Sequence, residues 1–199
     1  NVKNGTKVKT IGKNDSNWYN YSEKKWANAV LVTNTSRSKY LNTSGVTVSE
    51  DDILGYFVWI PRYKYKIWTT TKSSTGSEQT IEVVFEDKTK PKSTGTTVGS
   101  YRTHPAFTFG NTELNGMWVG KFETTGDVTT PTVKPNLQSL RSQNVSTQFS
   151  TAQKFGTSTY GSTSKIDAHM MKNSEWGAVA YLSHSKYGVN REVYINNSY

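Results

Sequence analysis

The sequence predicts an α+β fold, rich in strands and closing with two helices in its C-terminal third. Three observations carry that prediction. From Phe57 to Ile67, bulky apolar residues recur at every second position except Pro61, and from Arg62 on basic residues alternate with them. Short aromatic and β-branched runs then recur between connectors rich in Ser, Thr and Gly. In the last third, the apolar period lengthens to that of a helix.

Taken in order, the segment 17–21 and the segment 26–32 flank the polar tetrapeptide Ser22-Glu23-Lys24-Lys25, the composition of a short hairpin. Residues 33–50 are polar, so they are expected to connect rather than pack. Ser49 followed by Glu50, Asp51 and Asp52 predicts a capped helical turn, because carboxylates favour the positive end of a helix. In the alternating run, Phe57, Trp59, Tyr63, Tyr65 and Ile67 share one face, and Arg62, Lys64 and Lys66 read as a solvated basic face. Pro61 lacks an amide proton, which places that strand at an edge or makes it irregular there.

Ile81–Glu86 and Met117–Thr124 are further strand candidates, separated by a Thr/Gly/Lys-rich loop over 87–103. Phe149, Ala152 and Phe155 fit a short helix. Trp176, Val179, Ala180 and Ser183 mark one face of a longer one, with Asn173 or Ser174 as its cap and Gly188 as its left-handed stop. The division expected is a hairpin and polar connector over 1–50 and the main folded region over 51–199, in one compact unit.

Composition narrows the function. The chain has 199 residues, 33% of them hydrophobic and none of them Cys. The missing thiols exclude disulfides, thiolate catalysis and Cys-based metal sites. The longest apolar run, Tyr56–Ile60, is far short of the roughly 20 residues a membrane helix needs. Asn1 in place of Met leads us to expect a processed or longer parent chain, with an export or anchor segment upstream.

A net charge of +9 raises the question of a polyanionic partner. The lysines are dispersed and no Arg-rich block or nucleic-acid motif accompanies them, which argues against nucleic acid. His104, His169 and His184 match no metal-ligand spacing, no Gly-x-Ser-x-Gly elbow occurs, and Glu123, Asp167 and Glu175 are too scattered for a glycosidase pair. No catalytic residue, metal or cofactor is therefore expected. Aromatic side chains on loops and strand faces make good contacts for sugars or proteins, and Trp18, Tyr19, Tyr21, Tyr63 and Tyr65 are the candidate ligand contacts.

Three phrases carry a resemblance: Phe57-Val58-Trp59-Ile60-Pro61-Arg62-Tyr63, then Gly116-Met117-Trp118-Val119-Gly120-Lys121-Phe122-Glu123-Thr124-Thr125, then Ser174-Glu175-Trp176-Gly177-Ala178-Val179-Ala180. Over residues 55–188 the chain resembles the formylglycine-generating-enzyme-like (sulfatase-modifying-factor) branch of the C-type lectin fold, in the divergent form of bacterial and prophage surface proteins. The oxidising members of that family use a cysteine pair, absent here, so the resemblance implies a binding relative. It also implies that only the front half is present, the second half lying beyond Tyr199, with another polypeptide or a further segment completing the fold. The expectation is an extracellular, cell-surface or virion module that recognises a glycan or protein receptor, of adhesin or phage receptor-binding type. The alternative is a structural subunit whose copies assemble into a filament or virion through strand edges. A cell-wall hydrolase is a third reading, resting only on unpaired carboxylates.

Overall fold

The computed structural model describes residues 8–67, 79, 81–161 and 166–192. Within them the fold is mixed α and β with antiparallel strands, as the alternation and the late helical period require. In chain order the elements are β1 (Asn28–Val32), α1 (Arg37–Tyr40), β2 (Ile53–Pro61), β3 (Tyr63–Ile67), β4 (Ile81–Phe85), β5 (Arg102–Thr103), β6 (Thr108–Phe109), β7 (Thr112–Glu113), β8 (Gly116–Gly120), β9 (Thr125–Gly126), β10 (Pro131–Thr132), α2 (Val145–Gln153) and α3 (Asn173–His184). They gather into two compact units whose segments interleave along the chain. The first holds Asn1–Asn20, Lys25–Trp59 and Trp118–Met170; the second holds Tyr21–Lys24, Ile60–Met117 and Met171–Tyr199. Residue 50 falls inside the first unit.

In the first unit, β1 pairs antiparallel with β2, from Asn28 opposite Val58 to Leu31 opposite Gly55, and the sheet order is β1-β2-β8. Val48, Ile53 and Tyr56 are buried at its core, with Val8, Val30, Val32, Tyr40 and Phe122 packed against them. Val48 corrects the expectation that 33–50 only connects: its backbone amide bonds Val8 at 2.8 Å, which draws the segment onto the sheet. The expected hairpin is also corrected. Asn20 and Lys25 exchange backbone bonds at 2.9 Å, but Tyr21–Glu23 is a 3-10 turn and the pairing goes no further. The partner of 28–32 is instead the longer apolar β2, which offers five residues of ladder. The acidic turn forms as expected at Glu50–Asp52 behind Ser49, though the Ser49 side chain makes no capping bond. The short helix α2 is capped by Asn144, whose Oδ1 accepts from the Thr147 amide at 2.8 Å.

In the second unit, β3 is the centre of a sheet ordered β4-β3-β5, paired antiparallel on both sides. Between β2 and β3 the ladder breaks at Arg62, next to the proline, where the sequence placed an irregularity. Tyr63 is fully buried and its hydroxyl donates to the Ala178 carbonyl at 2.6 Å, pinning α3 to the sheet. The rings of Tyr65 and His104 meet Tyr181 of the same helix at 5.0 and 5.4 Å.

The helix α3 exists as predicted, but its buried stripe is Glu175, Ala178 and Leu182, one position from the stripe that the periodicity suggested. Glu175 accepts from the Lys172 amide at 2.8 Å and closes the first turn, so Lys172 rather than Asn173 is the cap. Trp176 consequently faces outward, 62% exposed. Gly188 is no left-handed stop either: the helix ends at His184, and Gly188 is required because a Cβ there would lie 2.1 Å from the Ser183 carbonyl oxygen. His184, the last residue of the helix, is buried and its Nε2 lies 2.7 Å from the Gln79 carbonyl oxygen.

The Tyr63 hydroxyl bond sets a measurable quantity. Tyr63→Phe leaves the packing intact and removes that one bond while the Ala178 carbonyl keeps its helical partner, so urea unfolding should show a loss of about 0.5–1.5 kcal/mol with an unchanged m-value. A neutral substitution would show that the bond does not hold the helix.

Candidate functional site

The second unit carries a pocket of about 320 Å³ walled by the β4–β5 loop, β5 and the turn that follows. The loop is folded back as a ribbon along β5: the Thr103 amide donates to the Ser93 carbonyl at 2.9 Å, and the Gly95 amide to the Tyr101 carbonyl at 3.0 Å. Only glycine fits at 95, since a Cβ would meet the Ser100 side chain at 2.3 Å and the Tyr101 carbonyl oxygen at 2.6 Å. Pro105 begins the 3-10 turn Pro105–Phe107, which His104 caps with its Nδ1 accepting from the Ala106 amide at 3.2 Å.

Behind the pocket lies a buried charge network. Arg62 is fully buried, and its Nε donates to Glu86 at 3.0 Å while Nη1 donates to Glu113 at 2.6 Å. Nη1 also reaches the carbonyls of Phe107 and Leu114 at 3.3 and 3.4 Å, whereas Nη2 is buried with no partner among the described residues. Pocket residues complete both carboxylates: Thr103 donates to Glu86 at 2.8 Å, Thr108 to Glu113 at 2.9 Å, and Lys92 pairs with Glu113 at 2.6 Å. This corrects the reading of Arg62 as a solvated strand face. The break beside Pro61 takes Arg62 out of the alternation, its amide bonding Asn115 and its carbonyl accepting from Glu86. Lys64 and Lys66 do stay on the outer side, both about 5 Å from the centre of the Tyr101 ring.

The network fixes protonation. Burial acts to raise the Glu113 carboxyl, and bonds from Lys92, Arg62 and Thr108 overcome it, holding the group down at about 2. Burial, assisted by the Arg102 charge, lowers the His104 imidazole to about 4, so it is neutral at pH 7. Arg102 itself is exposed and makes no ion pair among the described residues. The hydroxyls of Ser93, Thr94 and Thr96 likewise make no hydrogen bond there, and the methyls of the threonines and the Pro105 ring supply apolar wall. The result is one guanidinium and several hydroxyls presented over an apolar floor.

No family model, curated protein or solved structure matches this chain.

The five aromatic residues nominated from sequence are not brought to this pocket. Tyr63 has no exposed surface and serves the core. Tyr65 is half-buried among Tyr63, His104 and Tyr181, and Tyr21 is half-buried against Phe85, with ring centres 5.0 Å apart. In the first unit Trp18 and Tyr19 stack edge to face at 5.8 Å, and Tyr19 is 50% exposed. A stronger aromatic surface there was missed: Trp59 and Trp118 lie 5.2 Å apart, Trp118 being 46% exposed. Arg102, Ser93, Thr94 and Thr96 were missed because they sit in a stretch legible only as loop, although its density of Thr, Lys and Gly was visible. Among the described residues no group of three His, Asp or Glu side chains could hold a metal ion, and His169 lies beside Asp167 at 3.3 Å.

Acid should loosen this site in two steps. A base whose folded pKa lies below its unfolded one contributes stability that is whole above the unfolded value and lost as pH falls, so His104 acts between 6.5 and about 4. A depressed carboxyl behaves likewise lower down, and Glu113 acts between 4.5 and about 2. His104→Asn, which keeps a capping oxygen, should flatten the upper part of the stability-against-pH curve and leave the lower part. An unchanged upper slope would assign it to another group.

Proposed function

We propose that this chain is a non-catalytic recognition module that binds an acidic glycan in the pocket of its second unit. The observation that carries the reading is Arg102, an exposed guanidinium without a carboxylate partner among the described residues, set among the unbonded hydroxyls of Ser93, Thr94 and Thr96. A guanidinium matches a carboxylate or sulfate in two parallel bonds, hydroxyls match sugar hydroxyls, and threonine methyls and a proline ring accept the apolar face of a sugar. The net charge of +9 favours an acidic polymer over a neutral one.

The nearby carboxylates support binding rather than hydrolysis. Glu113 is held down at about 2 and so is not poised to donate a proton near neutral pH, and Glu86 is engaged by Arg62 and Thr103. On this reading the resemblance to the C-type lectin fold is one of scaffold as well as of phrase, and the module acts outside the cell or on a virion, where such polymers occur. The thiol-free composition agrees with either place.

Titration calorimetry with an oligouronate and with a neutral oligosaccharide of equal length tests the proposal. The acidic ligand should bind, weaken as salt rises, and lose roughly tenfold or more in affinity with Arg102→Ala, the loss of a charge-assisted bond. Equal binding of both sugars, or an unaffected Arg102→Ala variant, would contradict it.

A further inference from the structure

Trp176 is the most exposed aromatic side chain among the described residues, at 62%. Its indole makes no ring contact and no hydrogen bond among them. The helix does not require it, because the buried stripe of α3 is Glu175, Ala178 and Leu182, and alanine at 176 would favour a helix more. A tryptophan in that position supplies a large, flat apolar surface and a free Nε1 donor.

Its neighbours join it to the wall of the pocket. The Trp176 amide donates to the Lys172 carbonyl at 3.0 Å, which sets the two residues one turn apart at the start of α3. The Lys172 Nζ lies 3.8 Å from the centre of the Phe109 ring, and Phe109, itself 42% exposed, directly follows Thr108 of the pocket wall. The next residue of the helix, Gly177, stands against the other end of that wall. A Cβ there would come 3.8 Å from the Nε2 of His104, which lies between the pocket residues Thr103 and Pro105. Along the chain, the step from Pro105 to Phe109 is at most about 10 Å, within reach of a short oligosaccharide. All these residues belong to the second unit.

We infer that Trp176 is a second subsite for the ligand of the pocket, stacking on a neutral sugar residue while Arg102 holds an acidic one. The ligand class is then a mixed glycan, with acidic and neutral residues in one chain, rather than a polymer of acidic residues alone. The inference rests on the acidic-glycan reading and deepens it. Charge selects the neutral residue. Lys172, the cation beside the indole, already faces Glu175 with Nζ 3.8 Å from Oε1, so a second carboxylate gains little there. A pyranose face presents C–H groups to the negative face of the indole and removes apolar area from water, and a sugar hydroxyl can accept from Nε1. The platform is presented rigidly, since the Tyr63 hydroxyl ties α3 to the sheet through Ala178.

Titration calorimetry with three probes tests this: an alternating hexasaccharide of uronate and neutral sugar, its disaccharide repeat, and a hexamer of uronate alone. The mixed hexasaccharide should bind about tenfold tighter than the disaccharide and several-fold tighter than the uronate hexamer. Trp176→Ala, at an exposed position where circular dichroism should be unchanged, should erase that gain and leave the disaccharide affinity as it was. Trp176→Phe should restore most of it, whereas Arg102→Ala should weaken all three probes. A gain with length that survives Trp176→Ala, or a uronate hexamer that equals the mixed one, would overturn the subsite and leave the Arg102 pocket standing. Binding of none of the probes to the unmodified chain would instead overturn the acidic-glycan reading, and the subsite with it.

Discussion

A fully buried guanidinium governs the second unit. Taking Arg62 out of water costs several kcal/mol, and that cost is met only if its donors find carboxylates and carbonyls close by. Glu86, just past β4, and Glu113 of β7 supply the charges, and the carbonyls of Phe107 and Leu114 supply further acceptors. Segments distant in sequence are thereby held to one residue at the β2–β3 break. Removing any one partner would leave charge without compensation, so the loop after β4 and the β6–β7 hairpin have little freedom to move apart.

The pocket is a by-product of that constraint. The carboxylates are drawn inward to Arg62, and Lys92, Thr103 and Thr108 turn inward to complete them. What remains on the pocket side is cationic and hydroxylic, because Arg102 has no acid left beside it among the described residues. His104, kept neutral by burial and by the Arg102 charge, caps the turn without adding a titrating group near pH 7. A site that is positive, rich in hydroxyls and rigid from behind is suited to holding a flexible acidic polymer, since little ordering remains to be done by the protein.

Much of the fold was legible in the sequence where the local signal and the tertiary demand agree. The alternation over 63–67, the acidic turn at 50–52, the irregularity at Pro61 and the presence of α2 and α3 are of this kind. The failures share a cause as well. Alternation says which residues share a face but not what covers it, so Tyr63 was read as a contact when α3 lies over it, and Arg62 as solvated when two carboxylates converge on it. The segment 17–21 looked like a strand by composition, yet a longer apolar partner for β1 was available in β2. In α3 the stripe shifted by one position because Glu175 closes the first turn and Tyr63 binds the Ala178 carbonyl, neither of which is visible in periodicity. The pocket residues left no pattern at all, being placed by ribbon bonds between 93–95 and 101–103 and by a single glycine at 95.

The most direct measurement of the central claim is amide mapping by nuclear magnetic resonance, with nitrogen-labelled chain titrated with an oligouronate. The account requires the largest shifts at Ser93, Thr94, Thr96, Arg102 and Thr103, with the Trp118 and Tyr19 amides unmoved. Shifts concentrated at Tyr19, Trp59 and Trp118 would transfer recognition to the aromatic surface of the first unit and contradict it.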